Sequence, residues 1–100
     1  MKIAIALILT ILSAPVAAKD LFVADNQAGG VIVLTDETGT ALCKTMPMAY
    51  LRGKDSMFIP GCWEARSASI LVEWTLDDGS KKYRAYDYNG WRNAQTGEDL

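Results

Sequence analysis

From residue 19 onward the chain never sustains an apolar period of 3.6, which sets aside helical bundles and alternating α/β folds. Instead, short β-branched and aromatic runs are each stopped by a cluster of turn residues, the pattern of an antiparallel meander. Leu21 to Asp25 reads as a first strand and Asn26-Gln27-Ala28-Gly29-Gly30 as the turn after it. Val31 to Thr35 is a β-branched strand stopped at Asp36-Glu37-Thr38-Gly39. Residues 40 to 48, with Cys43 and Pro47, read as a loop. Ala49 to Arg52 and Met57 to Ile59 form a hairpin over Gly53-Lys54-Asp55-Ser56. Pro60-Gly61 then predicts an edge strand or a bulge, because proline cannot donate to a ladder. Ile70 to Leu76 and Lys81 to Tyr88 make the clearest hairpin, turning at Asp77-Asp78-Gly79-Ser80. The tail from about residue 89 is polar apart from Trp91 and is expected to be irregular or frayed.

The register of that last hairpin has two solutions. A two-residue turn at Asp78-Gly79 pairs Leu76 with Lys81, and a three-residue loop ending in Gly79 pairs Leu76 with Ser80. The first sets Trp74 against Tyr83 and Val72 against Ala85, an apolar face, with Glu73 against Arg84 on the other side. The second sets Trp74 against Lys82. A one-residue slip exchanges the faces of one strand, so the side-chain pattern favours the first. It leaves Lys82, Arg84, Tyr86 and Tyr88 as a basic and aromatic stripe on the outer face, the expected partner surface.

Ahead of this domain, Lys2, the apolar run Ile3 to Leu12 and the small residues Ser13 to Ala18 have the three parts of a secretory signal peptide. Such a leader is helical and is expected to be cleaved after Ala18. The run is too short for a membrane span, which needs about 20 apolar residues, so no stable membrane anchor is expected after cleavage. About 82 residues remain, enough for one domain, residues 19–100.

Cys43 and Cys62, the only cysteines, fall in this exported part and are expected to form a structural disulfide. Their spacing is far from C-x-x-C, and with no histidine in the chain neither a redox pair nor a zinc site is expected. The expected fold is therefore mostly β: a small antiparallel meander or open barrel-like sheet stapled by one disulfide.

Several landmarks together carry a family resemblance. Gly29-Gly30-Val31-Ile32-Val33-Leu34-Thr35-Asp36, the following Cys43, Ala49-Tyr50, Gly61-Cys62-Trp63 and the Asp78-Gly79 hairpin resemble small exported proteins encoded by tailed phages and prophages. The likeness covers roughly residues 22 to 88 and departs at Glu37 to Leu42, an insertion, and in a longer last hairpin. It implies a phage-linked origin and a location outside the inner membrane, and it carries over no catalytic or binding residue.

The side-chain inventory narrows function further. Loss of Lys2 leaves nine basic against twelve acidic side chains, a net charge of about −3, so neither nucleic acid nor an anionic membrane surface is an expected partner. Without histidine, the remaining catalytic option is a carboxylate pair drawn from Glu64, Glu73, Asp77, Asp78 and Asp87. Asp77 and Asp78 are better explained as turn residues, and Glu64 and Glu73 as a solvated strand face. Asp36-Glu37 and Asp77-Asp78 lack the spacing of a calcium loop. Trp63 and Trp74 are expected in the core, whereas Tyr86, Tyr88 and Trp91 are surplus aromatics suited to an interface. The expected function is a non-catalytic, cofactor-free binding or inhibitor module of the periplasm or exterior that acts on an envelope protein. Such a module could serve superinfection exclusion or enzyme inhibition. The alternatives are a structural part of an envelope or virion assembly and, far behind, a small cell-wall hydrolase.

Overall fold

The computed structural model describes residues 19–100; the leader reading concerns residues 1–18 and lies outside the described residues. Seven strands follow in order: β1 (Asp20–Asp25), β2 (Val31–Thr35), β3 (Met48–Arg52), β4 (Phe58–Ala65), β5 (Ile70–Thr75), β6 (Lys81–Tyr86) and β7 (Arg92–Asn93). They form a single antiparallel sheet in the order β6-β5-β4-β3-β2-β1-β7. The first six strands each pair with their sequence neighbour, and β7 returns to the far edge beside β1.

That return forces the sheet to curl. Laid flat, six strand spacings would separate β6 from β7 by about 29 Å. The chain from Tyr86 to Arg92 can reach only about 21 Å when fully extended. The sheet therefore bends toward the face on which Asp87 to Trp91 cross, and the rings of Tyr86 and Trp91 meet edge to face at 6.1 Å. Alternation places Ile32 and Leu34 of β2, Ala49 of β3, Trp63 of β4 and Ile70, Val72 and Trp74 of β5 on that inner face, where they make the core. Trp63 donates its Nε1–H to the Thr35 carbonyl at 2.9 Å, so its one polar atom is satisfied inside.

On the opposite face, Cys62 is bridged to Cys43 with a Cα separation of 5.5 Å, as the cysteine count requires. The bridge holds the long β2–β3 connection down over β4. Its backbone ends are held as well: Met48 N–H donates to the Glu37 carbonyl at 2.8 Å and Trp63 N–H to the Pro47 carbonyl at 3.0 Å. Thr35, a buried polar residue, donates its hydroxyl to the Met48 carbonyl at 2.7 Å.

Three expectations need correction. β4 is neither an edge nor bulged at Pro60; it runs through Pro60 and Gly61 between β3 and β5. Gly53 N–H donates to Met57 O at 2.8 Å and Trp63 N–H to Pro47 O, so odd β4 residues bond to β3 and even ones face β5. Pro60 thus points its nitrogen toward β5 where the β4–β5 ladder, which begins at Gly61–Trp74, has already ended. No bond is lost. Gly61 is needed here for a different reason: a Cβ would come within 2.8 Å of both the Glu73 carbonyl and the Trp74 ring.

The last hairpin adopts the three-residue register, not the two-residue one: Thr75 pairs with Lys81, Trp74 with Lys82, Glu73 with Tyr83 and Val72 with Arg84. The turn decides it. Leu76 N–H donates to the Ser80 carbonyl at 2.8 Å, and Gly79 takes φ +86°, the left-handed position that closes a three-residue loop. Asp78 Oδ1 accepts from the Ser80 N–H at 2.9 Å and from its hydroxyl at 2.6 Å. These bonds, the side-chain one first, hold the Asp78 carboxyl below its ordinary range.

The polar tail is the third correction. It is largely irregular in secondary structure, but it is docked. Trp91 is 2% exposed and belongs to the core. Ala94 N–H donates to the Leu21 carbonyl at 2.8 Å, and Gln95 Nε2–H donates to the Asp20 carbonyl at 2.8 Å. Composition hid this, because Trp91 is the one fully buried residue of the tail.

Candidate functional site

The observed register redistributes the expected partner stripe. Alternation from Trp74–Lys82 and Val72–Arg84 puts Lys82, Arg84 and Tyr86 on the inner face rather than the outer one. Lys81, Tyr83 and Ala85 take the outer face, where Lys81 Nζ donates to Thr75 Oγ1 at 2.8 Å and the Tyr83 hydroxyl to Glu73. That bond to a carboxylate raises the Tyr83 phenol above its ordinary value.

Tyr86 serves the fold. It is half-buried, accepts the Trp74 Nε1–H at 3.0 Å and stacks edge-on with Trp91. Tyr88 is exposed and donates its hydroxyl to the Arg66 carbonyl; it does not line the cleft described next. Lys82 and Arg84 are exposed and form no ion pair among the described residues. Of the four residues expected to bind a partner, these two remain free to do so.

They stand on one wall of an open cleft of about 760 Å³ on the inner face of the sheet. Ile32, Leu51, Ile59, Trp74 and Trp91 give it an apolar floor. The opposite wall is the β1–β2 turn, Asp25 to Ala28, with Asp87 and Asn89 at the β6 end. Asp25 is approached by Arg92 at 3.4 Å, so one carboxylate of the cleft has a cation of its own. The cleft opens where β6 extends past the core: Lys81 to Ala85 are exposed, and Tyr86 is half-buried against Trp91 of the crossing segment. Its basic wall and apolar floor suit a partner that offers carboxylates beside an aliphatic or aromatic group.

The carboxylates weighed for catalysis are dispersed among structural tasks. Glu64 pairs with Arg66, Glu73 accepts from Tyr83 and Asp78 caps its turn, so three of the five carboxylates already have structural partners. Among the described residues, no three acidic or cysteine side chains come together as a metal site would require.

Sequence reasoning missed the cleft floor and a partly exposed aromatic pair on the outer face. There Tyr50 and Phe58 stack at 5.6 Å, and the Arg52 guanidinium lies 5.4 Å from the Tyr50 ring centre. Partial burial, with a hydrogen bond to Asp20, raises the Tyr50 phenol. The spacing of Tyr50, Arg52 and Phe58 across one hairpin was the available clue, since directly opposed β3 and β4 residues share a face. No family model matches the chain, and no curated protein or solved structure is significantly similar to it.

Proposed function

We propose that the chain is an exported, non-catalytic binding module that engages an envelope or periplasmic protein through Lys82 and Arg84 at the mouth of the cleft. The observation that carries this reading is the unpaired cationic wall over an apolar floor, in a chain whose charge balance is otherwise acidic. Two cations left without partners on an exposed strand cost nothing in isolation; beside an apolar cleft they give a negatively charged partner both orientation and a faster encounter. The disulfide suits an oxidising compartment, and the leader read at residues 1–18 would deliver the chain there. In a phage-linked setting, occupying an envelope protein would serve superinfection exclusion or inhibition of a wall-acting enzyme.

Export and binding are tested separately. Mass spectrometry of the secreted or periplasmic product is expected to show a chain beginning at Lys19; an intact leader would end the export reading. In a pull-down from periplasmic extract, the wild-type domain is expected to retain a stoichiometric partner that Lys82→Glu with Arg84→Glu loses by more than about tenfold. Both positions are exposed, so the melting temperature of that variant should move by no more than about 2 °C. Undiminished capture by the double variant would remove the cleft wall from the binding surface. A structural role in an envelope or virion assembly is a second reading, favoured by the open outer edge of β6.

A further inference from the structure

The two edges of the sheet are treated differently. At the β7 edge the chain closes on itself: Arg92 bridges to Asp99, Asn93 N–H donates to the Glu98 carbonyl at 2.8 Å, and Leu100 N–H to the Trp91 carbonyl at 3.1 Å. At the β6 edge nothing pairs among the described residues, and every residue from Lys81 to Ala85 is exposed.

Hydrogen-bond alternation shows what that edge offers. The Leu76–Ser80 bond marks a hydrogen-bonded pair, so Trp74–Lys82, Val72–Arg84 and Ile70–Tyr86 are hydrogen-bonded pairs as well. Lys81, Tyr83 and Ala85 therefore turn their N–H and C=O groups outward. A strand laid against this edge would bond to those three residues. Its side chains opposite Lys82 and Arg84 would then occupy non-hydrogen-bonded positions, where cross-strand side chains come closest.

We propose that β6 accepts an extended segment of a partner protein as an eighth strand. That segment carries carboxylates at two alternate positions, facing Lys82 and Arg84 on the cleft side, with an apolar residue between them beside Tyr83. This rests on the binding-module reading and specifies the partner's chemistry.

A second copy of the chain is a poor occupant. Two β6 strands paired antiparallel about a two-fold axis would bring Lys82 and Arg84 of one copy against those of the other, and like charges directly opposed are destabilising. Lysines on a bare edge protect against indiscriminate pairing. The same charges that repel a neutral or basic strand select an acidic one, so protection and recognition share one cause. Main-chain bonds supply affinity in this mode, and the alternating side chains supply the choice of partner.

The probe is a synthetic peptide, Thr-Glu-Val-Glu-Val-Glu-Thr, titrated into the isotope-labelled domain, with a lysine-for-glutamate analogue as control. The glutamate peptide is expected to shift the amides of Lys81, Tyr83 and Ala85 and to slow their hydrogen exchange. The amides of Lys82 and Arg84, already bonded to β5, should keep their exchange rates. Ala85→Pro removes one outward donor and leaves the β5 ladder intact. It should melt within about 2 °C of wild type and bind the peptide about fivefold more weakly. Lys82→Glu with Arg84→Glu should lose the glutamate peptide and gain the lysine one. Unprotected outward amides at millimolar peptide, or wild-type affinity in Ala85→Pro, would overturn strand addition. A captured partner lost by the charge reversal yet retained by Ala85→Pro would leave the binding-module reading standing and end this one. A partner indifferent to both variants would end both.

Discussion

Replacing Cys62 with serine is expected to lower the melting temperature by roughly 12–24 °C. The bridge closes a loop with a sequence separation of 19, worth about 3 kcal/mol through the unfolded chain, and a domain of this size loses about 4–8 °C for each kcal/mol. The native state suffers in the same direction. Cys62 is 2% exposed and Cys43 7%, so a serine hydroxyl would be buried under a connection that is no longer fastened. Thermal melts followed by circular dichroism, with and without a thiol reductant, measure the effect twice. If neither the substitution nor reduction moves the transition, the backbone bonds at Glu37 and Pro47 and the Thr35 hydroxyl hold the connection unaided, and the bridge is dispensable.

Trp91→Ala should cost about 3–5 kcal/mol, the range for deleting a large buried aromatic. Trp91 packs at the end of the crossing segment, edge-on to Tyr86, and lines the same cleft whose wall carries Lys82 and Arg84. Its removal takes away the surface that fastens β7 to β1, so the damage should be uneven as well as large. Hydrogen exchange at Ala94 and Leu100, whose amides bond to Leu21 and Trp91, should accelerate before exchange in β2 to β5 does. A loss below about 1 kcal/mol would mean that the tail is an appendage, as its polar composition implied.

Much of the fold is legible because the meander is written locally. Each of the first six strands is bounded by its own turn residues and pairs with its neighbour, so period-two runs and Gly or Asp clusters suffice to place them. The cysteine pair and the two core tryptophans Trp63 and Trp74 follow from composition and alternation in the same way. The register of β5 against β6 differs from the expectation because turn chemistry leaves two solutions and core alternation selects the wrong one. That criterion assumes that both strands face a core, and β6 lies beyond the core's edge, exposed along Lys81 to Ala85. With no burial to satisfy there, Gly79 and the Asp78–Ser80 bonds set the pairing. Of the candidate site, the basic pair was legible as residues but not as a surface, because its face depends on that register. Pro60 was misjudged because the harm a proline does depends on which neighbour its missing N–H faces. The tail's docking is not legible because its long-range contacts, above all β7 with β1, leave no local trace.

That same β1–β7 pairing gives the domain an uneven folding problem. Strands β1 to β6 can zip from hairpin to hairpin, each closure except the long β2–β3 connection spanning a short loop and each adding to a growing sheet. Docking β7 beside β1 must instead join segments about 70 residues apart, and the entropy of that closure is recovered only after the intervening sheet has curled enough to bring them together. The cleft is thus the last region to be assembled and the first released when the native state opens from its weakest end. A chain caught before that step would present six paired strands with both edges bare, the β1 edge uncharged from Leu21 to Ala24. Closure of the tail therefore protects the protein from joining copies of itself while it matures.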